Sequence, residues 1–202
     1  RAVHIARARK EELAKIMTRE EGKIISEARG EVEKGINLLE WYAGEGLRFW
    51  GYTSPSELPQ NFLYTIRQPL GVVSIITPWN FPWAIPCWKI APALVAGNCV
   101  VFKPASLVPW MAVELCQILE EAGLPPGVIN LVVGPGSSVG NELVKNPAIR
   151  AISFTGSNTV GKRLNHDAAE RGVKVTCEMG GKNPCVVWDD ADMDMALAGV
   201  MK

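Results

Sequence analysis

Apolar positions along the chain follow two different rhythms. Up to about residue 50 they recur at helical spacing: Ile5, Leu13, Ile16 and Met17 make one apolar face between charged positions. From Leu70 onward, short β-branched runs alternate with helical patterns. Strands are predicted at Val72–Ile76, Cys99–Phe102, Val128–Val132, Ala151–Phe154, Lys174–Thr176 and Pro184–Trp188. Helices are predicted at Trp83–Leu94, Val108–Ala122, Ser138–Lys145, Thr159–Arg171 and Asp192–Met201. Turn residues separate them: Gly97–Asn98, Gly123 followed by Pro125–Gly127, and Asn146–Pro147. This alternation predicts βαβ units and an α/β fold with an open, mostly parallel sheet flanked by helices. Asn61–Arg67 also alternates like a strand but lies outside that rhythm. Pattern alone leaves two readings for it, an exposed arm that pairs with another subunit or an antiparallel edge strand.

Charge sharpens the division. Residues 1–34 hold nine Lys/Arg and seven Glu, whereas residues 70–110 hold only Lys89 and Lys103. The first region reads as a solvated helical layer and the second as the buried centre. The whole chain has 202 residues and a formal net charge of zero, so binding of nucleic acid or an anionic membrane through overall charge is not expected. The uncharged run Leu70–Trp88 carries too many Pro, Gly and polar residues to be a membrane helix. Five cysteines without a C-x-x-C spacing read as reduced thiols of an intracellular, cytoplasmic protein. The chain opens at Arg1 and closes at Lys202 inside an Ala-rich helical run, which reads as a piece of a longer protein.

In an open parallel sheet, ligands bind beyond the carboxyl ends of the strands. Candidate chemistry therefore lies just after each predicted strand. Thr155-Gly156-Ser157 precedes a helix and suits a phosphate, with backbone N–H groups facing the anion and Ser157 adding a hydroxyl. Two readings compete there. Gly156 to Lys162 matches the start of a P-loop, but Arg163 stands where the magnesium-ligating hydroxyl belongs. A dinucleotide pyrophosphate site fits better, although a strict G-x-G-x-x-G is absent. Gly134-Pro135-Gly136 followed by Gly140 is a second glycine loop, equally readable as a plain strand-to-helix turn.

Three polar residues stand in apolar settings. Asn80, in a loop stiffened by Pro78 and Pro82, is placed to donate to an oxyanion, or merely to satisfy turn backbone. Lys103, at a strand end, reaches a ribose or phosphate, or snorkels at the surface. Glu178 is a general base if its cleft is dry, or a solvated turn residue. Cys177 is adjacent to Glu178, but neighbouring strand residues point to opposite faces.

Together these stretches resemble the aldehyde dehydrogenase superfamily: Thr77–Pro82 (TPWNFP), Gly97–Ala105, Ala122–Gly136, Ile152–Gly161 and Glu178–Pro184 (EMGGKNP), in the family's order over essentially the whole chain. The runs Pro86–Pro92 and Cys177–Asn183 look most similar to the branch acting on semialdehydes such as α-ketoglutaric semialdehyde. The resemblance implies a Rossmann-like cofactor domain: a helical layer over 1–50, a linker with a possible oligomerisation strand over 51–69, and an NAD(P)-binding region over 70–202. It implies oxidation of an aldehyde to a carboxylate through a cysteine thioester, in a homo-oligomer. Asn80 resembles the oxyanion donor and Glu178 the base for water. Thr77, Trp79, Lys103, Ser106, Gly136, Gly140, Gly156 and Ser157 fall at cofactor-contacting positions. Ser106 stands where many NAD-preferring members carry a glutamate, which implies that NADP is accepted as well as NAD. The nucleophilic cysteine of the family is expected beyond Lys202, so the 202 residues alone are expected to be inactive. A non-catalytic nucleotide-binding module and a P-loop-like nucleotidase are the alternatives.

Overall fold

The computed structural model describes residues 1–201. Three helices open the chain: α1 (Ala2–Ala8), α2 (Lys10–Glu21) and α3 (Ile25–Glu45). Gly22 ends α2 at φ 82°, a left-handed conformation that a side chain would strain. Two short strands follow, β1 (Thr53–Pro55) and β2 (Phe62–Tyr64). The remainder alternates: β3 (Val72–Ile76), α4 (Ala84–Val95), β4 (Cys99–Lys103), α5 (Pro109–Glu121), β5 (Ile129–Leu131), α6 (Asn141–Lys145), β6 (Ile149–Gly156), α7 (Asn158–Ala169), β7 (Lys174–Met179) and α8 (Met193–Val200).

The main sheet has the order β5-β4-β3-β6-β7, with every pairing parallel. Parallel strands need helical crossovers, so both faces are covered. Val73, Ile75, Val100, Phe102, Ile129 and Ala151 point to one face, where the first five helices pack. Ile149, Ile152 and Phe154 point to the other, against Leu143, Val144, Leu164 and Ala168. Asn98 ties two strand entrances together: its side-chain oxygen accepts from the N–H of Leu70 at 2.7 Å and of Gly71 at 3.2 Å.

Several expectations need correction. In the helical layer Leu13, Met17, Val32 and Ile36 are fully buried, so it forms one wall of the core rather than a solvated cover. Asn61–Arg67 is not an edge of the main sheet. Its Phe62–Tyr64 part pairs antiparallel with Thr53–Pro55 in a separate hairpin, with all six residues exposed. Pro184–Trp188 is not a strand. It has no ladder partner among the described residues, Pro184 lacks a donor, and Val186 and Trp188 are about 70% exposed. The predicted helix Ser138–Lys145 is split into a π-turn at Gly136–Gly140 followed by the short α6, because two glycines loosen its first turn.

Candidate functional site

Strand order decides where a ligand can enter. From β3 the chain winds outward through β4 to β5, then crosses back to β6 and winds the other way to β7. The reversal lies between β3 and β6, and the crevice beyond their carboxyl ends is the switch point at which such sheets bind ligands. A cleft of about 670 Å³ opens there. Thr77, Trp79 and Asn80 line it from the loop after β3, Gly156 and Ser157 from the end of β6, and Glu178 from β7.

Each of these side chains has a distinct setting. Thr77 is buried, its backbone N–H donates to the Lys103 carbonyl at 3.1 Å, and its hydroxyl has no partner among the described residues. Trp79 is 56% exposed. Asn80 is exposed and its side-chain amide makes no hydrogen bond among the described residues, so it does not serve the turn backbone. Gly156 ends β6 where a Cβ would stand 2.5 Å from Cζ of buried Phe154. Ser157 is the N-cap of α7, its hydroxyl accepting from the Val160 N–H at 3.4 Å. Glu178 is exposed.

The remaining predicted residues lie toward the other edge of the sheet and do not line this cleft. Lys103 is buried at the end of β4 and donates to the Pro104 carbonyl at 3.2 Å. Burial pulls its ammonium below the usual lysine range. It is therefore not a snorkelling surface lysine. Ser106 donates to the Gly134 carbonyl at 3.0 Å, joining the loops after β4 and β5. Gly136 and Gly140 have open space where a Cβ would be, so neither is demanded by close packing of the chain.

One residue of the site was named in the sequence only as a charge. Lys89 of α4 reaches the sheet, where it donates to Ser153 Oγ at 3.0 Å and to the Phe154 carbonyl at 3.4 Å. It lines a second cavity of about 410 Å³ together with Thr155, Thr176 and Glu178. Glu178 thus borders both cavities. Burial lowers the Lys89 ammonium, and the nearby Glu178 carboxylate works against that shift. A lone lysine in an apolar stretch was the available signal.

The helix ends also discriminate. Glu31 accepts from the N–H groups of Trp83 (2.9 Å) and Ala84 (3.1 Å), closing the start of α4. Glu20 accepts from the N–H groups of Trp110 and Met111, closing the start of α5. Among the described residues no carboxylate from elsewhere closes α7, and its start faces the cleft. An anion is favoured at such an end. A dinucleotide fits these residues: a bare glycine, a capping hydroxyl, an open helix start and the unpartnered Thr77 hydroxyl surround one crevice. A P-loop does not fit, because only Ser157 separates β6 from α7 and no loop encloses a phosphate. Arg163 turns away to Asn141, at 2.9 Å.

None of the five cysteines lines the cleft. Cys87 and Cys116 are buried, and Cys185 is exposed on the segment after β7. Cys177 faces α7, 3.5 Å from the Asn165 amide, on the opposite side of β7 from Glu178.

Comparison with known proteins gives the same frame. The model of the aldehyde dehydrogenase family matches residues 1–202. The chain is 52% identical to an alpha-ketoglutaric semialdehyde dehydrogenase of Bacillus subtilis, over 98% of this chain and 40% of that protein. It is 45% identical to an NADP(+) succinate-semialdehyde dehydrogenase of Escherichia coli, over 95% of this chain and 40% of that one. The crystal structure of betaine aldehyde dehydrogenase from Staphylococcus aureus in complex with NAD+ superposes with a TM-score of 0.95 at 34% identity, over 98% of this chain and 39% of that one. The chain thus spans about 40% of the length of the curated relatives it matches.

Proposed function

The chain belongs to the aldehyde dehydrogenase family, and on that premise we propose that it is the dinucleotide-binding part of an enzyme that oxidises a semialdehyde to a carboxylate. The observation that carries this is the switch-point cleft, where Asn80, Glu178 and the Gly156–Ser157 turn face one opening. When bound, the dinucleotide supplies the acceptor for the hydride that leaves the aldehyde carbon. Ser157 and the open start of α7 would hold its pyrophosphate, Thr77 and Trp79 would contact it in the cleft, and Lys103 and Ser106 would serve its ribose.

The chain's own chemistry is then of two kinds. The free amide of Asn80 donates to the substrate oxygen when a thiolate adds to the aldehyde, stabilising charge that develops only in the transition state. Glu178 accepts a proton from the water that releases the carboxylate from the resulting thioester. Lys89 lines the neighbouring cavity with Glu178, whose carboxylate favours its charged form. The thiolate comes from a part of the enzyme outside these 202 residues, since none of the chain's cysteines lines the cleft. We further read the cofactor as NADP or NAD, with NADP accepted because Ser106 places a hydroxyl rather than a carboxylate near the ribose. The exposed β1–β2 hairpin supports pairing of subunits, and the five free thiols support a cytoplasmic setting.

Titrating the purified chain with NADP⁺, NAD⁺ and ATP–Mg²⁺ tests this reading, with Trp79 as the optical reporter. Quenching by the dinucleotides, no response to ATP–Mg²⁺ and no aldehyde turnover are expected. Binding of ATP–Mg²⁺ alone would overturn the assignment. Turnover by the 202 residues alone would overturn the external thiolate.

A further inference from the structure

The loop that carries Asn80 is held from behind by the helical layer. Lys23 lies in the bend between α2 and α3, and its side chain is only 12% exposed. Its ammonium donates to the backbone carbonyl of Asn80 at 2.8 Å. The same ammonium pairs with the carboxylates of Glu31 and Glu21, both almost fully buried. It also stands 4.4 Å from the centroid of the Phe81 ring. Two of its donors are taken, by Glu31 and by the Asn80 carbonyl, while Glu21 stands 3.0 Å away as an ion-pair partner without a hydrogen bond. Burial pulls Lys23 down, but the hydrogen bond to Glu31 and the attraction of the Glu31 and Glu21 carboxylates outweigh it, so the group stays above the usual lysine range and charged.

Glu31 does a second job with its other oxygen. That oxygen accepts from the Trp83 and Ala84 N–H groups. One buried ion pair therefore grips both sides of the four residues Asn80–Trp83. The far end of the loop is fixed separately, by the Thr77 N–H on the Lys103 carbonyl. The Asn80 side chain has no restraint of its own, because its amide makes no hydrogen bond among the described residues. Its direction is set through the backbone alone.

We propose that Lys23, with Glu31, is a positioning residue that aims the Asn80 amide by holding the Asn80 carbonyl. This rests on the reading of Asn80 as oxyanion donor. Misplacement of a catalytic group by about 1 Å can cost roughly 10²-fold in rate, and among the described residues no other side chain hydrogen-bonds to Asn80. The ion pair itself is weak evidence for stability, since buried pairs often contribute little net energy. Its geometry, spent on one backbone carbonyl and one helix end, is what points to aim.

The test uses the enzyme that contains this chain, with Lys23→Met, Lys23→Arg, Asn80→Ala and Lys23→Met/Asn80→Ala. Lys23→Met is expected to lower kcat at least tenfold with dinucleotide affinity unchanged. Lys23→Arg is expected to recover most of that loss. In the Asn80→Ala background, Lys23→Met is expected to have no further effect on kcat, because the group it aims is gone. Full activity in Asn80→Ala would overturn the donor reading. A large loss in Asn80→Ala with none in Lys23→Met would overturn the positioning role alone. Losses that multiply in the double variant would place the effect of Lys23 elsewhere and also overturn it. If Lys23→Met does not fold because Glu31 is left unpaired, Lys23→Met/Glu31→Gln removes both charges while its amide oxygen still accepts from Trp83, and the same comparison is made on it.

Discussion

Gly35 of α3 lies against the indole of Trp83, so close that a Cβ there would stand 2.3 Å from both Cδ1 and Nε1. Trp83 is fully buried, and its indole N–H donates to the Val32 carbonyl at 3.2 Å. The two helices approach as they do because this position has no side chain.

Gly35→Ala is therefore expected to destabilise the chain. In an open helix the change would gain up to ~1 kcal/mol. Here overpacking costs about 1–3 kcal/mol instead. Gly30, exposed on the same helix with open space around it, is the control, and Gly30→Ala is expected to raise the melting temperature. Thermal unfolding of the two variants checks both signs.

At the cleft, Gly156→Ala is expected to weaken dinucleotide binding more than Gly161→Ala. The first Cβ meets the rigid ring of buried Phe154 at 2.5 Å. The second meets Sδ of Met179 at 2.3 Å, the end of a flexible and 41% exposed side chain. Titration with NADP⁺ reads the difference.

Ser106→Glu is expected to turn the enzyme toward NAD⁺. The carboxylate would face a 2′-phosphate, and like-charge juxtaposition costs more than ~1.4 kcal/mol, so the NADP⁺/NAD⁺ ratio of kcat/KM is expected to fall roughly tenfold or more. An unchanged ratio would remove Ser106 from cofactor discrimination.

Alkylation should sort the five thiols. Cys185 is exposed and is expected to react first. Burial pushes the Cys116 thiol up to about 12 and Cys87 higher still, so both are expected to react only on unfolding. Mass spectrometry after brief treatment at pH 8 gives the order.

Lys89 makes stability depend on pH. Burial holds its folded value below the ordinary 10.5. Between the two values the unfolded chain binds more protons, so stability rises with pH across that window. Wild type minus Lys89→Met stability is expected to increase as pH approaches 10.5 and to flatten above it. Urea unfolding at stepped pH measures it.

What the sequence made legible was set by periodicity. Five of the six predicted strands appear, because short β-branched runs such as Val72–Ile76 are bounded by turn residues and helical patterns. Pro184–Trp188 has the same composition, but composition does not provide a neighbouring strand. The hairpin partner Thr53–Pro55 was invisible, since three residues carry no period. At the site, Asn80, Gly156, Ser157 and Glu178 stood next to strand ends, so topology alone brought them to one cleft. Glu20, Glu31 and Lys23 did not. They lie on the helical layer, where a carboxylate serving a distant helix looks the same as one facing water.

The two carboxylates that close α4 and α5 also bear on how the molecule can be divided. The βαβ part looks like a self-sufficient nucleotide-binding unit, with residues 1–45 as an appendage. Cut away, those helices would take with them the acceptors for Trp83, Ala84, Trp110 and Met111 and the cover over Ile90, Met111 and Leu115. The remainder would have two bare helix ends and an uncovered apolar flank. The smallest separable unit is the helical layer and the sheet together, and neither was built to exist alone.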